Sequence, residues 1–568
     1  MESKDIKLEY SPIYDLDKKV YLDQSTKTAK YLYYYPINNS LSGATINIQI
    51  PSDPTRLFDP KKSYLTFQLA VTKTGTITNW TQGDMIAFAN NACMAMFSQC
   101  ELVVNGTQVE LIRTPSHTFN TMLNLLKYSH SFSTSSEALT RGWQIDDHQF
   151  FTSATAGSAV QDPNTALVNP STISGGMRNC CNSITNVVTT TTTASPALNY
   201  KYSSGFDARS KYMKNSALNG STTLATANGA ALTFTFRIPL NHIFTFFESC
   251  NSLVRGARIE MNFTMDTTTY SGTNYRFFVQ DLSNTTIAAS DITFPQSLIA
   301  LNTVVAPTIV PRAGTSFTGT AGVNNIQNAG TMPISIQKLY CLLRTYEPNP
   351  HIERELINDF IKEDKPQTVV YMRHFDNTLS IAAGQSQFQS TLNGPGNSKP
   401  SHFIFAFQMN GTVNPAADTN APIGSTGGRD NSGGCNYSTF DALDINYFQL
   451  QYNGQQYPFS LVNSQTFQTN YVEFYKEIVE FRRKVYGIDD EYESAPAITA
   501  GAWETLYPIY IIDLEGQSAI MQDSGVPTGQ PQLSINFNSG PVFPATMYYM
   551  FIASSAVQFN STSTSILF

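Results

Sequence analysis

Three places in the chain bring together residue types that chemistry uses: the vicinal pair Cys180-Cys181, His351 beside Glu353, and the acidic run Asp489 to Glu493 (DDEYE). Adjacent thiols can hold a soft metal, but no histidine stands near Cys180-Cys181, and an ordinary loop pair is the better reading. His351 and Glu353 follow Pro348 and Pro350 closely and read as solvated linker. The acidic run follows a helix end and lacks the alternating ligands and central glycine of a calcium loop. No Walker motif, dinucleotide fingerprint, His-Glu-x-x-His, Cys-x-x-Cys or Gly-x-Ser-x-Gly occurs. Paired carboxylates for glycoside hydrolysis are defined by spatial proximity, which leaves no mark in sequence spacing. The expectation is no catalytic residue, no cofactor-binding residue and no metal ligand.

The elements that would position any site are better marked, because the chain says one thing twice. Leu102 to Thr121 reads LVVNGTQVELIRTPSHTFNT and Leu450 to Thr469 reads LQYNGQQYPFSLVNSQTFQT. At a constant offset of 348 they share Leu102/Leu450, Asn105/Asn453, Gly106/Gly454, Gln108/Gln456, Ser116/Ser464, Thr118/Thr466, Phe119/Phe467 and Thr121/Thr469. Each copy runs from a strand through an Asn-Gly turn to a polar step into a helix. A single recurrence at this distance implies two similar domains in tandem, since solenoids repeat every few tens of residues. Asn-Gly takes the positive φ values of a tight hairpin, so its role is structural.

Composition agrees with strands joined by turns. Only 14% of the 568 residues are charged and 12% are aromatic, and β-branched and aromatic side chains suit a pleated, half-buried surface. So few charges on so large a body hint that part of the outside is covered in the working state. The net charge of −8 argues against a protein that coats nucleic acid. Met1 to Lys30 carries six lysines and six acids, a neutral arm with no sign of phosphate neutralisation. Seven scattered cysteines do not form a disulfide framework and point to a reducing compartment during folding. The N-terminus MESKDIKLEY lacks the apolar core of a secretion signal, and no run is apolar enough to span a bilayer. The Asn-x-Ser/Thr triplets at Asn79, Asn219, Asn262 and Asn284 read as chance.

Strand signals dominate. Thr45 to Ile50, Leu65 to Val71 and Leu232 to Ile238 alternate with period two, and Ile334 to Leu343, Val369 to Met372, His402 to Met409, Pro508 to Leu514, Leu533 to Phe537 and Thr546 to Ala553 behave alike. Phe467, Tyr471, Phe474, Ile478, Phe481 and Val485 recur at helical steps and predict a helix over Thr466 to Tyr486, stopped at Gly487. A shorter counterpart is predicted over Thr118 to Tyr128 and a connector helix over Ile352 to Lys362. Thr152 to Gly205, Asp266 to Thr331 and Thr412 to Thr439 read as long insertions.

In the second half, Phe448 to Phe459 (FQLQYNGQQYPF), Tyr471 to Gly487 (YVEFYKEIVEFRRKVYG), Tyr507 to Gln517 (YPIYIIDLEGQ), Leu533 to Phe537 (LSINF) and Pro544 to Ile552 (PATMYYMFI) follow in order, preceded by Lys399 to Met409 (KPSHFIFAFQM). This order resembles the C-terminal half of the major capsid proteins of Polintons (Mavericks) and adintoviruses, relatives of virophage capsid proteins and adenovirus hexon. Phe236 to Phe247 (FRIPLNHIFTFF), Val254 to Phe263 (VRGARIEMNF) and Lys338 to Arg344 (KLYCLLR) resemble the end of that family's first half. Leu514-Glu515-Gly516-Gln517 departs from it, where more basic residues are expected.

The resemblance implies an all-β chain of two tandem jelly-roll sandwiches, a double jelly roll: an arm over 1–40, a first jelly roll over 41–348, a connector over 349–366 and a second jelly roll over 367–568. It implies a major capsid protein whose homotrimers present a pseudo-hexagonal footprint and tile an icosahedral shell. Partners would then be neighbouring capsomers, penton and minor capsid proteins, and the location the virion. The contrasting reading is a tandem β-sandwich carbohydrate-binding or adhesion protein, for which a secretion signal and a clustered aromatic or metal-carboxylate site would be expected.

Overall fold

Period-two alternation decides most of this molecule. In Leu232–Pro239 the even residues Phe234, Phe236 and Ile238 are buried while Thr233, Thr235 and Arg237 stay exposed. A strand of this kind must lay its apolar face on a second sheet. The computed structural model describes the strands and helices of both halves. Outside its description lie chiefly residues 1–25, 38–44, 76–89, 152–199, 213–231, 266–276, 281–297, 302–328, 355–365, 410–437, 459–470, 489–494 and 516–528.

Sixteen principal strands form two sets of eight. The first set is β1 (Thr26–Tyr34), β2 (Thr45–Ile50), β3 (Leu57–Val71), β4 (Phe97–Val104), β5 (Thr107–Ile112), β6 (Leu232–Pro239), β7 (Ile259–Met265) and β8 (Ile334–Pro348). The second is β9 (Gln367–Ile381), β10 (Gln387–Thr391), β11 (Pro400–Met409), β12 (Ile445–Tyr452), β13 (Gln455–Tyr457), β14 (Tyr510–Asp513), β15 (Gln532–Phe537) and β16 (Ala545–Phe559). The first set pairs in the orders β1-β8-β3-β6 and β2-β7-β4-β5, the second in the orders β9-β16-β11-β14 and β10-β15-β12-β13. Every pairing is antiparallel, and adding eight to each strand of the first set gives the second. Two four-stranded sheets with these crossovers make a jelly roll, so the chain is a double jelly roll. Thr564–Leu567 adds a short strand to the end of β16.

The repeat detected in the sequence is the β4-β5 and β12-β13 hairpin. Val104 pairs with Thr107 and Tyr452 with Gln455, leaving the two-residue Asn-Gly turns. Their φ values, 47° and 81° at Asn105-Gly106 and 52° and 75° at Asn453-Gly454, are those of a turn that matches strand twist. Aromatic rings fill the space between sheets. In the first roll Phe97 packs 4.9 Å from Phe263 and edge-on to Phe67. In the second, Phe405 meets Phe448 at 5.2 Å and Tyr510 at 5.0 Å. Cys93, Cys100, Cys250 and Cys341 are buried free thiols; burial pushes the last three up to about 12, which leaves them inert.

Helices are short. α1 (Ser116–Lys127) follows the first hairpin and is buried along nearly its whole length. α2 (Thr245–Ser249) follows β6, and α3 (Tyr471–Phe481) lies after the second hairpin with Phe474, Ile478 and Phe481 inward.

Several expectations change. The arm does not reach residue 40, because β1 over Thr26–Tyr34 is an edge strand of the first roll. Its half-buried Leu32 and Tyr34 alternate with exposed Tyr31 and Tyr33, and with aromatics on both faces the amphipathic period is hidden. The helix expected over Thr466 to Tyr486 is α-helical only to Phe481 and continues as a π-helical turn, Arg482–Tyr486, before Gly487 closes it at φ 67°. The strands at the seam are longer than the alternation marks, fifteen residues each for β8, β9 and β16. Cys180-Cys181, His351, the acidic run and most of the three insertions and connector helix lie outside the described residues.

Candidate functional site at the seam between the two rolls

Of the motif residues considered in the sequence, Cys180, Cys181, His351 and Asp489 to Glu493 lie outside the described residues, and Glu353 is placed with its backbone N–H on the Asn349 carbonyl at 2.8 Å. Among the described residues, no group of histidine, cysteine and carboxylate side chains is arranged to hold a metal ion. Asn262 lies in β7, where its side-chain amide donates to Glu101 Oε2 at 3.0 Å. The polar residues that do converge are ones the motifs never marked, and they sit where one roll meets the other.

Glu110, in β5, is fully buried. Its Oε1 accepts from the Thr245 backbone N–H at 2.9 Å and its Oε2 from the Phe246 N–H at 3.0 Å, both at the start of α2. From the second roll, His374 Nε2 reaches Glu110 Oε1 at 2.9 Å, and His374 Nδ1 reaches Asp376 Oδ1 at 2.6 Å. The Arg113 N–H donates to Asp376 Oδ2 at 3.4 Å. Burial would push the His374 imidazole down, but the two carboxylates, Asp376 foremost, outweigh it and raise it to about 10. Near neutral pH the ring is therefore an imidazolium donating from both nitrogens. It has no lone pair to serve as a base, so the row Glu110-His374-Asp376 clamps the two rolls together and is unsuited to proton transfer. Tyr371 adds a hydrogen bond to the Val109 carbonyl at 2.7 Å and an edge-on contact with Phe246.

A second network surrounds α1. His242 Nδ1 lies 2.7 Å from Tyr128 Oη, and His242 Nε2 lies 3.0 Å from Asn91 Oδ1. Asn91 Nδ2 donates to Asn120 Oδ1 at 2.8 Å, and Asn124 Nδ2 donates to the same oxygen at 2.8 Å. Burial, with Lys127 and Arg141 nearby, holds His242 well below the ordinary histidine range. It is neutral, with Nδ1 accepting from tyrosine and Nε2 donating to the amide oxygen. From the second roll, the Ser438 hydroxyl donates to the Asn90 carbonyl at 2.7 Å.

Backbone joins the rolls as well. His130 N–H donates to the Ala495 carbonyl at 3.0 Å and Ala497 N–H to the Tyr128 carbonyl at 2.9 Å. Asp146 N–H donates to Tyr507 Oη at 2.8 Å, while the Asp146 carboxylate holds buried Arg209 at 2.6 Å. Phe119 of α1 meets Tyr548 of β16 edge-on at 5.8 Å. The seam leaves a cleft of about 620 Å³ walled by residues such as Leu123, Lys127, Phe132, Met372, Val485 and Tyr486. Lys127 spans its rim to Glu248 at 2.8 Å.

No family model and no curated protein matches the chain. Solved structures do. A structure of the Sputnik virophage matches over 100% of this chain and 92% of its own, at 12% identity and a TM-score of 0.48. The Faustovirus major capsid protein matches over 95% and 92%, at 11% identity and a TM-score of 0.43. The mavirus major capsid protein matches over 100% and 96%, at 9% identity and a TM-score of 0.40.

Sequence reasoning missed the clamp because its members lie 264 residues apart. Two signals were there. Glu110 stands among Val109, Leu111 and Ile112 in the hairpin strand, and His374-Phe375-Asp376 places two titratable side chains on one strand face.

Proposed function

We propose that this chain is a viral major capsid protein whose trimers act as pseudo-hexagonal capsomers of an icosahedral shell, catalysing no reaction. One observation carries the reading: two jelly rolls of identical strand order are fixed to each other by a buried, hydrogen-bonded row of Glu110, His374 and Asp376. Fold alone does not dictate function, and the way the rolls are joined is what matters. A recognition module aims unsatisfied polar groups at its ligand, whereas the Glu110-His374-Asp376 row satisfies its own. A tile needs a stiff body of constant shape, which a charge-clamped seam supplies. Two similar rolls per chain let three chains present six similar sides. Such permanent contacts should bury well over ~2,000 Å² each. Penton and minor capsid proteins are the further partners this role requires, and the long polar insertions suit the outer surface, where variation leaves tiling intact. Negative-stain microscopy of the purified protein tests the proposal: six-lobed particles are expected, and single two-lobed bodies at high concentration contradict it.

A further inference from the structure

The outer face of β1-β8-β3-β6 carries an unusual surface. Tyr31 and Tyr33 on β1, continued by Tyr35 and Ile37, are all exposed, Tyr33 and Tyr35 by 58% and 65%. They are four of the six exposed large apolar or aromatic side chains among the described residues. Tyr340 on β8 lies 5.6 Å from both Tyr33 and Tyr35, Arg344 sits 4.9 Å over Tyr31, and Arg237 on β6 sits 5.7 Å over Tyr64. Lys338 is exposed on the same sheet. Tyrosine and arginine on a firm sheet are the residues that anchor protein interfaces.

The corresponding face of the second roll shows what covers such a sheet. There the outward residues His374, Asp376, Tyr548, Met550 and Ile552 are buried. Their cover comes from the first roll: β5 and α2 at the clamp, and Phe119 of α1 on Tyr548. Within one chain, then, the helix-and-hairpin side of one roll sits on the outer sheet face of the next. The second roll has its own helix-and-hairpin side, β12, β13 and α3. That side is exposed at α3, where Val472, another of the six, stands beside exposed Glu473. Glu477 and Glu480 are half-exposed on the same helix. On α3, exposed Lys476 stands among these carboxylates and Glu480 pairs with Arg483, so it is position in the roll rather than charge that matches this side to the aromatic face.

We propose that the Tyr31-Tyr33-Tyr35 face is a docking surface for the α3 side of the second roll in another copy of this chain. Each copy would repeat between chains the contact it already makes internally. A head-to-tail contact of this kind propagates from copy to copy and closes into a ring when its rotation allows, which the trimer reading requires. The inference rests on the trimer reading above and assigns its interface.

A photo-crosslinking amino acid at position 33 tests the pairing, with crosslinked peptides read by mass spectrometry. Crosslinks are expected to residues 445–513 of another copy. Crosslinks to the first roll of another copy, or only within one chain, overturn the proposal. In parallel, the Tyr33→Asp/Tyr35→Asp variant should fall from three times 62.7 kDa to 62.7 kDa in light scattering, with an unchanged circular dichroism spectrum. A variant that keeps the threefold mass overturns this docking surface and leaves the trimer standing. A wild-type protein at 62.7 kDa overturns both.

Discussion

The outer faces of β1-β8-β3-β6 and β9-β16-β11-β14 occupy equivalent places in two rolls of one strand order, and their surfaces are opposites. The second face holds a histidine, a carboxylate and large apolar side chains, all sealed beneath the first roll. The first presents tyrosines, arginines and a lysine outward. Backbone topology is shared, so the difference lies in what each face meets. A permanent intramolecular contact can carry a desolvated charge, because both partners fold together and never part. A face that meets its partner only after folding must stay soluble alone, and tyrosine with arginine does that while retaining contact area.

The largest effect expected from breaking this contrast is on the covered face. His374→Ala leaves the Glu110 and Asp376 carboxylates buried without their cation, a loss of about 3–5 kcal/mol. Denaturant unfolding should register it, and a cost no larger than that of a surface substitution would show that the clamp does not hold the seam. Replacing the whole row, as His374→Met/Glu110→Gln/Asp376→Asn, should recover part of that loss, since no uncompensated charge then remains.

Protonation sharpens the comparison further. His374 is raised in the folded state to about 10 from 6.5, so its contribution is complete below pH 6.5 and drains away as pH rises toward about 10. His242 is lowered, so its contribution is complete above pH 6.5 and lost as pH falls below it. Melting temperature should therefore decline between pH 7 and 10 more steeply in the wild type than in the triple variant. Equal slopes would show that the seam imidazole is not charged.

The smallest effect compares the two hairpins. Asn105→Ala and Asn453→Ala each force alanine to a positive φ, at about 1 kcal/mol. Asn105 Oδ1 also accepts from the Arg258 N–H at 2.8 Å, so its replacement should cost more. Paired unfolding curves would show the order, and a reversed one would mean that the shared turn does not set the cost.

Much of the fold was legible because it is written in local terms. The period-two runs, the Asn-Gly turns and the constant offset of 348 each reflect a backbone requirement that neighbouring residues meet. The edge strand β1 escaped notice because Tyr31 and Tyr33 face outward where polar residues would mark a solvent side. The clamp escaped because it is made of long-range pairs: Glu110 looks like a misplaced surface residue until β9 brings His374 beside it. The π-helical turn at Arg482–Tyr486 has no periodic signature, since five residues barely complete one turn.

The central claim, that this double jelly roll is built to join copies of itself into a trimer, is tested most directly by the native mass of the purified protein. Light scattering coupled to size exclusion should give a single species at three times 62.7 kDa that persists on dilution. A monodisperse species of 62.7 kDa at high concentration would contradict the account.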